Sequence, residues 1–304
     1  MRFTSLRSLS FVVLACATAS AGAQSPARAP NANAGVAGTL FIVGGGTQSP
    51  ALVQHFVALA GGPGKARIVV FPMATADAES EGRGKAEQLQ QLGASAFVLN
   101  PTHAQADLDS VVRQLDGVTG VWFVGGDQVR ITRALGGTAT LRAVQARYRA
   151  GAVIGGTSAG AAIMSDSMLT GNQFAADGTL DTAGTGYPRI ARHSIEIVPG
   201  LGFLHGAVVD QHFLRRQRSN RLMSVILERP TLLGVGIDEG TALRVDPDGR
   251  WAIEGASAAL VIDARSATVT DPSAPRLGAA GLRVHLLPAG STFDPRTGTA
   301  TLPH

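Results

Sequence analysis

The feature that most constrains the fold of this chain is the alternation of short apolar runs with segments of helical spacing. The apolar runs predict strands at 39–43, 67–71, 96–99, 121–124, 152–154, 207–209, 232–237 and 242–245. Helical spacing occurs between them at 51–60, 84–92, 106–115, 129–135, 141–149 and 218–227. The runs are continuously apolar, which is typical of parallel strands covered on both faces. The sequence therefore predicts an α/β fold with a doubly wound, mostly parallel sheet.

Two later segments depart from this alternation. Residues 169–192 are rich in Gly, Thr, Asp and Ala without clear periodicity, and we expect an inserted surface loop there. From residue 246 onward, short apolar runs separated by turn residues predict antiparallel β structure. Because the sequence contains neither an internal repeat nor a clean linker, residues 38–245 predict one α/β domain, with residues 246–304 as its β-rich C-terminal extension.

The first 23 residues are typical of a cleaved export signal. Two arginines precede a short apolar segment, and Ala21-Gly22-Ala23 has the small-x-small form that signal peptidase accepts. Residues 24–37 would follow as a flexible spacer, and the mature protein would be periplasmic or extracellular. A lipoprotein-like box that ends at Cys16 would instead give a lipid-anchored form. We rank this form second, because cleavage there leaves a very short apolar region.

Composition excludes several classes of function. The chain is 45% hydrophobic and 16% charged, as expected of a globular protein, and Cys16 is its only cysteine, so the mature form has no disulfide and no thiolate ligand. No stripe of basic and aromatic residues predicts nucleic-acid binding, and no apolar run beyond the N-terminus predicts a membrane span. The sequence has no histidine spacing typical of a metal site, and we expect no cofactor. Three glycines at 44–46 predict only a turn at a strand end.

The segment at 153–162 carries the clearest chemical pattern. Gly156, Ser158 and Gly160 form a G-x-S-x-G motif that follows an apolar strand and opens an apolar helix, which is the context of a nucleophile elbow. In such a turn the Ser158 hydroxyl stands exposed beside a helix N-terminus, which favours developing negative charge. The alternative is that Ser158 merely caps the helix.

A nucleophilic serine needs a base and a carboxylate that orients it. His212 directly follows an apolar strand, at the sheet edge where ligands bind in such folds, although a histidine at a strand end can also be purely structural. Asp238 and Glu239 follow another apolar strand. Because side chains alternate, only one of these two acids can point at the histidine, and both remain candidates at this point. Weaker contexts surround Asp166, Asp177, Asp181 and Glu196.

Four motifs, in this order, carry a family resemblance. They are GGDQ at 125–128, GGTSAG at 155–160, DQHF at 210–213 followed by Arg216, Arg218 and Arg221, and GIDE at 236–239. Together they resemble the cyanophycinase branch of the aspartyl dipeptidase family of serine peptidases, over about residues 38–245. The resemblance implies a flavodoxin-like fold similar to class I glutamine amidotransferases. Those enzymes carry Cys where this chain has Ser158, and without a mature cysteine their chemistry is excluded here.

The resemblance also implies roles for single residues. Ser158 would be the nucleophile, His212 the general base and Glu239, rather than Asp238, the residue that orients the base. Backbone N–H groups of Gly126 and Ala159 would hold the oxyanion. The residues implied to line the substrate pocket are Gln128, Asp210, Gln211, Arg216, Arg218 and Arg221. The stretch between Ser158 and His212 is about a dozen residues longer than the family pattern, in agreement with the inserted loop.

Cyanophycin itself explains such a pocket. The polymer has a poly-aspartate backbone with an arginine on each β-carboxyl, so an enzyme that cuts it must bind carboxylates and guanidinium groups. Arginines suit the former, and Asp210 suits the latter. Arg218 and Arg221 share a helical face, but Arg216 joins them only if the helix begins after it. A solvated helix face is the alternative.

The resemblance thus predicts an exported serine peptidase that hydrolyses cyanophycin to β-Asp-Arg dipeptides. An Asp-specific or isoaspartyl dipeptidase of the same family is the nearest alternative, because the arginines after His212 favour the polymer without excluding small peptides. A catalytically silent binding protein on the same fold would keep Ser158 as a turn residue only. The elbow alone also fits a lipase or esterase. We expect a peptide or polymer substrate, and the resemblance is compatible with a homodimer.

Overall fold

The computed structural model describes residues 36–181 and 189–303, together with Met1. The predicted export signal, the box at Cys16 and residues 24–35 of the predicted spacer lie outside the described residues. Residues 182–188 of the predicted surface loop do so as well. None of the described helices combines the length and the apolar character that crossing a membrane requires.

The first half of the chain alternates strands and helices as expected. Its strands are β1 Thr39–Val43, β2 Arg67–Phe71, β3 Ser95–Val98, β4 Gly120–Phe123 and β5 Val153–Thr157. The α-helices of the described ranges are α1 Pro50–Leu59, α2 Ala78–Gln91, α3 Asp109–Val112, α4 Gln128–Leu135, α5 Ala139–Arg149, α6 Ala159–Ala162 and α7 Ser219–Glu228.

The second half of the chain is dominated by strands. They are β6 Ser167–Gln173, β7 Ile195–Pro199, β8 Ala207–Gln211, β9 Leu233–Ile237, β10 Thr241–Val245, β11 Trp251–Gly255, β12 Ala258–Asp263, β13 Thr268–Val269, β14 Ala279–Ala280, β15 Arg283–Pro288, β16 Thr292–Asp294 and β17 Thr299–Thr301. Only α7 interrupts them with a full α-helix among the residues described after α6.

Nine of the described strands form the main sheet, in the order β17-β16-β11-β10-β1-β5-β4-β2-β3. The five from β1 to β3 run parallel, and β10, β11, β16 and β17 continue the sheet antiparallel from β1. The structure confirms the predicted α/β fold and its β-rich C-terminal strands. A second sheet, in the order β15-β12-β9-β8, was not expected, and its β8 and β9 are parallel. These two strands lie apart from β1 because β10 occupies the position beside it.

The predicted and observed secondary-structure elements differ where helix capping or strand pairing determines their bounds. Helix α2 begins six residues before the predicted 84, because the Asp77 carboxylate caps it by accepting from Ser80 N at 3.3 Å. The predicted helix at 106–115 is broken into α3 and two flanking 3₁₀ turns. Residues 167–173, at the start of the predicted loop, form β6, which pairs antiparallel with β7.

Candidate active site

Ser158, His212 and Glu239 come from three different strand ends. Ser158 follows β5 of the main sheet, His212 follows β8 of the second sheet, and Glu239 lies in the short connection from β9 to β10. The carboxyl ends of neighbouring parallel strands meet at one edge, where ligands bind in α/β proteins. The site therefore lies where the carboxyl edges of the two sheets meet.

Two short contacts join these side chains. Ser158 Oγ lies 2.8 Å from His212 Nε2, and His212 Nδ1 lies 2.6 Å from Glu239 Oε1. With the carboxylate accepting the proton on Nδ1, Nε2 is left to accept the hydroxyl proton of Ser158. The arrangement can transfer a proton from Ser158 to His212 while Glu239 stabilises the resulting positive charge.

The elbow holds Ser158 in a conformation that L-residues rarely adopt. Its φ is 53° and its ψ is −108°, a backbone state that costs about 1–3 kcal/mol and occurs mainly at functional sites. Close backbone packing around Gly156 and Gly160 enforces the turn: a Cβ on Gly156 would lie 2.5 Å from the Gly160 carbonyl oxygen. Ser158 N donates to the carbonyl of Val43 at 3.0 Å, which fixes the turn to β1.

The glycine run at 44–46 contributes more than a turn, because it contacts both partners of Ser158. His212 N donates to the Gly44 carbonyl at 2.6 Å, and a Cβ on Gly45 would lie 2.3 Å from His212 Cε1. A Cβ on Gly46 would lie 2.8 Å from Glu239 Cβ. The absence of side chains at this run thus leaves room for the imidazole and the carboxylate.

Asp238 is engaged elsewhere. Its Oδ1 accepts from Arg215 N at 2.9 Å, and its Oδ2 accepts from Ser257 Oγ at 2.8 Å. Burial acts to raise the pKa of Asp238, but these hydrogen bonds outweigh burial and hold the pKa below its ordinary value. Of the two acids left open by the sequence pattern, Glu239 is therefore the one in contact with His212.

The electrostatics favour a neutral histidine. Burial lowers the pKa of His212, and the positive charges of Arg216 and Arg218 lower it further. The hydrogen bond and charge of Glu239 act in the opposite direction, yet the net shift of this pKa is downward from 6.5. A neutral imidazole at neutral pH is the form that accepts a proton from the serine.

Four of the residues implied for substrate binding form one buried cluster. The carboxylate of Asp210 pairs with the guanidinium of Arg221, with Nε 2.7 Å from Oδ2, and these side chains are 0% and 2% exposed. Arg218 Nη1 lies 3.7 Å from Asp210 Oδ1 and donates to Gln211 Oε1 at 2.8 Å. These groups contact one another, so their predicted contact with substrate stays a prediction.

The other two implied pocket residues, Arg216 and Gln128, differ from this cluster in their surroundings. Arg216 is exposed, and α7 begins only after it, as convergence of the arginines requires. Gln128, at the start of α4, is buried, and its Nε2 donates to the carbonyls of Leu169 and Thr170 at 2.8 and 2.6 Å. Gln128 thus anchors β6.

The backbone groups implied as oxyanion donors lie next to Ser158. Ala159 is the first residue of α6, and first-turn N–H groups have no partner within the helix. Gly126 belongs to the loop after β4, and a Cβ on its neighbour Gly125 would lie 3.4 Å from Ser158 Cβ. Both segments adjoin Ser158, and the role of their N–H groups as oxyanion donors stays a prediction.

A cavity of about 540 Å³ lies beside the nucleophile and was missed by sequence reasoning. Its lining includes Gln48, Lys85, Trp122, Gly125 and Thr157. One signal was present: Lys85 is one of only two lysines in an arginine-rich chain. Gln48 and Lys85 are 37 residues apart, and only the fold brings them into contact.

Comparison with known proteins assigns this chain to a class of enzymes. The chain is a serine-type peptidase built on an α/β sheet. It belongs to Peptidase family S51, whose family model matches residues 40–251.

Relatives with curated names are similar over most of their length. The chain is 30% identical over 276 residues to a cyanophycinase of Synechococcus elongatus, covering 87% of this chain and 81% of that protein. It is 30% identical over 241 residues to a cyanophycinase of Nostoc sp. strain PCC 7120, covering 76% of each. A peptidase from an acI-B1 Actinobacterium has a similar fold, with a TM-score of 0.58 at 21% identity, covering 83% of this chain and 98% of that one.

Proposed function

We propose that this protein hydrolyses cyanophycin and releases β-Asp-Arg dipeptides through a triad of Ser158, His212 and Glu239. The observation that carries the proposal is the continuous pair of contacts from Ser158 Oγ through His212 to Glu239, at 2.8 and 2.6 Å. The similarity to cyanophycinases over most of the chain supports the choice of substrate.

The reaction begins with acylation of the serine. His212 Nε2 takes the proton from Ser158 Oγ as Oγ bonds to the peptide carbonyl carbon, and the N–H groups of Gly126 and Ala159 stabilise the oxyanion. The C–N bond then breaks as His212 gives that proton to the leaving amine. In the second half, water loses a proton to Nε2 and attacks the acyl ester, and Ser158 regains its proton as it leaves. Glu239 holds the imidazole tautomer throughout.

The implied pocket residues take two kinds of role in this proposal. Exposure of Arg216, together with its influence on the pKa of His212, supports direct contact between this guanidinium and a substrate carboxylate. Burial of the Asp210–Arg221 pair supports a positioning role, because Asp210 lies two residues before His212 on β8. Gln211 and Arg218 belong to the same buried cluster.

The decisive experiment is digestion of purified cyanophycin by the protein that starts at Gln24, with Ser158→Ala as the matched control and mass spectrometry of the products. We expect β-Asp-Arg from the wild type alone. Equal release by Ser158→Ala would contradict the nucleophile assignment. Hydrolysis of isoaspartyl or Asp-containing dipeptides without release of β-Asp-Arg from the polymer would instead indicate a dipeptidase of the same family.

Export and dimerisation are further parts of the proposal. The pattern of residues 1–23 supports export with cleavage after Ala23, and N-terminal sequencing of the protein recovered outside the cytoplasm tests it. A start at Cys16 would indicate the lipid-anchored form instead. Light scattering of the purified protein tests the homodimer.

A further inference from the structure

The cavity beside Ser158 is bordered by parts of the chain that the mechanism does not use. It lies between α2, the loop after β1 and the ends of β4 and β5, and its volume of about 540 Å³ is that of a small-molecule site. Thr157, which lines it, directly precedes the nucleophile, and a Cβ on Gly125 would lie 3.9 Å from Ser158 Oγ. A group held in this cavity would therefore be next to the reacting carbonyl.

Lys85 brings a positive charge into this cavity, and its direct hydrogen-bond partners are neutral side chains. Its Nζ donates to Gln48 Oε1 at 2.8 Å and to Gln88 Oε1 at 2.6 Å, and lies 4.7 Å from the centroid of the Trp122 ring. Among the described residues, no carboxylate comes within 4.0 Å of this ammonium group. Burial lowers the pKa of Lys85 to about 8, although the charge of Glu81 acts to raise it. An anion bound here would offset the cost of burying the charge.

Gln48 links Lys85 through hydrogen bonds to the segments that contact Ser158 and Glu239. While its Oε1 accepts from Lys85, its Nε2 donates to Thr157 Oγ1 at 3.2 Å and to the Gly46 carbonyl at 3.0 Å. Thr157 adjoins the nucleophile, and Gly46 packs against Glu239. The ammonium group is thus held in place by neutral side chains that leave its charge available to a ligand.

We propose that this cavity is a subsite for one arginyl group of cyanophycin, with Lys85 Nζ binding the arginine carboxylate and Glu81 binding the guanidinium. The inference rests on the proposed function and names the part of the substrate that this region receives. An arginine joined through its α-amino group to a β-carboxyl keeps both a free carboxylate and a guanidinium. Glu81 also lines the cavity, one helical turn before Lys85 on the same face of α2, and it is exposed.

Paired substrates isolate the contact with Lys85. Aspartyl-arginine oligomers with free arginine carboxylates are compared with the same oligomers carrying carboxamides, which keep every guanidinium. We expect kcat/KM of the wild type to favour the carboxylate by about 10- to 100-fold, the range for a hydrogen bond to a charged group. In Lys85→Met the ratio of kcat/KM for the carboxylate substrate to that for the carboxamide substrate should fall to near one, because KM changes and kcat does not. Lys85→Arg should restore part of this ratio.

The other lysine supplies the matched control. Lys65 is exposed, and Lys65→Met should leave both the ratio and the rates unchanged. Glu81→Gln should raise KM for both substrates equally, because both retain the guanidinium. The proposal would be overturned if the wild-type protein showed no preference for the carboxylate substrate. It would also be overturned if Lys85→Met, shown to be folded by a normal Tm, still preferred that substrate.

A binding measurement separates this inference from the proposed reaction. In the Ser158→Ala background, calorimetry compares β-Asp-Arg with its argininamide counterpart, with and without Lys85→Met. If the wild type hydrolyses nothing, the proposed function fails, yet a carboxylate preference in binding that Lys85→Met abolishes still supports the subsite. Absence of binding, or binding that Lys85→Met leaves unchanged, would reject the subsite even in an enzyme that digests cyanophycin.

Discussion

Replacing Arg221 by Met tests whether the buried cluster behind His212 is structural. The substitution keeps most of the apolar stem of Arg221 and removes the charge that faces Asp210, whose side chain is 0% exposed. Removing one partner of a buried ion pair costs about 3–5 kcal/mol, because the remaining charge is left without compensation. Arg218 Nη1, 3.7 Å from Asp210 Oδ1, should place the loss toward the lower end of that range. At about 2–4 °C per kcal/mol, a loss of about 3 kcal/mol should lower Tm by about 6–12 °C.

Thermal and urea unfolding measure this loss. The matched control is Arg229→Met, at the exposed C-terminal cap of the same helix, which should change stability by about 0.5 kcal/mol or less. The double variant Asp210→Leu/Arg221→Met should recover part of the stability, since the Asp210 carboxylate is then no longer buried without Arg221, while Arg218 keeps its hydrogen bonds to Gln211. An Arg221→Met protein with the Tm of the wild type but a raised KM for cyanophycin would refute the structural role. Arg221 would then contact substrate, as the family resemblance implies.

Three further predictions concern the triad. Glu239→Gln should lower kcat about 10²–10⁴-fold by removing the carboxylate partner of His212, whereas Asp238→Asn should chiefly lower Tm, and equal losses of kcat would contradict the choice of Glu239. Gly45→Ala and Gly62→Ala both place a side chain at positive φ, at 114° and 82°, so both variants should have a lower Tm. Only the Cβ of Gly45→Ala would displace the His212 imidazole, so only this variant should lose activity. Because burial and the neighbouring guanidinium groups hold the pKa of His212 below 6.5, the midpoint of the acid-side decline in kcat/KM should lie below pH 6.5, and a midpoint above pH 6.5 would contradict this electrostatic account.

The strands were the most predictable part of the fold. The runs at 39–43 and 67–71 coincide with β1 and β2, because strands covered on both faces need an apolar residue at nearly every position. The separate second sheet was not predictable in this way. Its β8 and β9 are as apolar as strands of the main sheet, and their place depends on the pairing of β10 with β1.

Within the site, the local sequence pattern identified the residue types but not their pairing, and only the family resemblance implied Glu239 as the partner of His212. Asp238 and Glu239 follow β9, so alternation along the strand does not decide between them, and contacts with Ser257 and His212 do. Charge composition likewise did not reveal that Asp210 and Arg221 face each other. Contacts between side chains that are distant in the sequence depend on tertiary packing, so a local sequence pattern does not predict them.

The backbone conformation of Ser158 and His212, the proposed nucleophile and base, has a consequence for how this chain can change over time. Ser158 and His212 both sit at positive φ, 53° and 49°, where any side chain is disfavoured and glycine is not. A lineage that no longer needed the reaction would gain stability by a single replacement of Ser158 with Gly. Ser158 at this turn therefore lowers the stability of the fold, and Ser158→Gly would remove that strain together with the nucleophile of the proposed reaction.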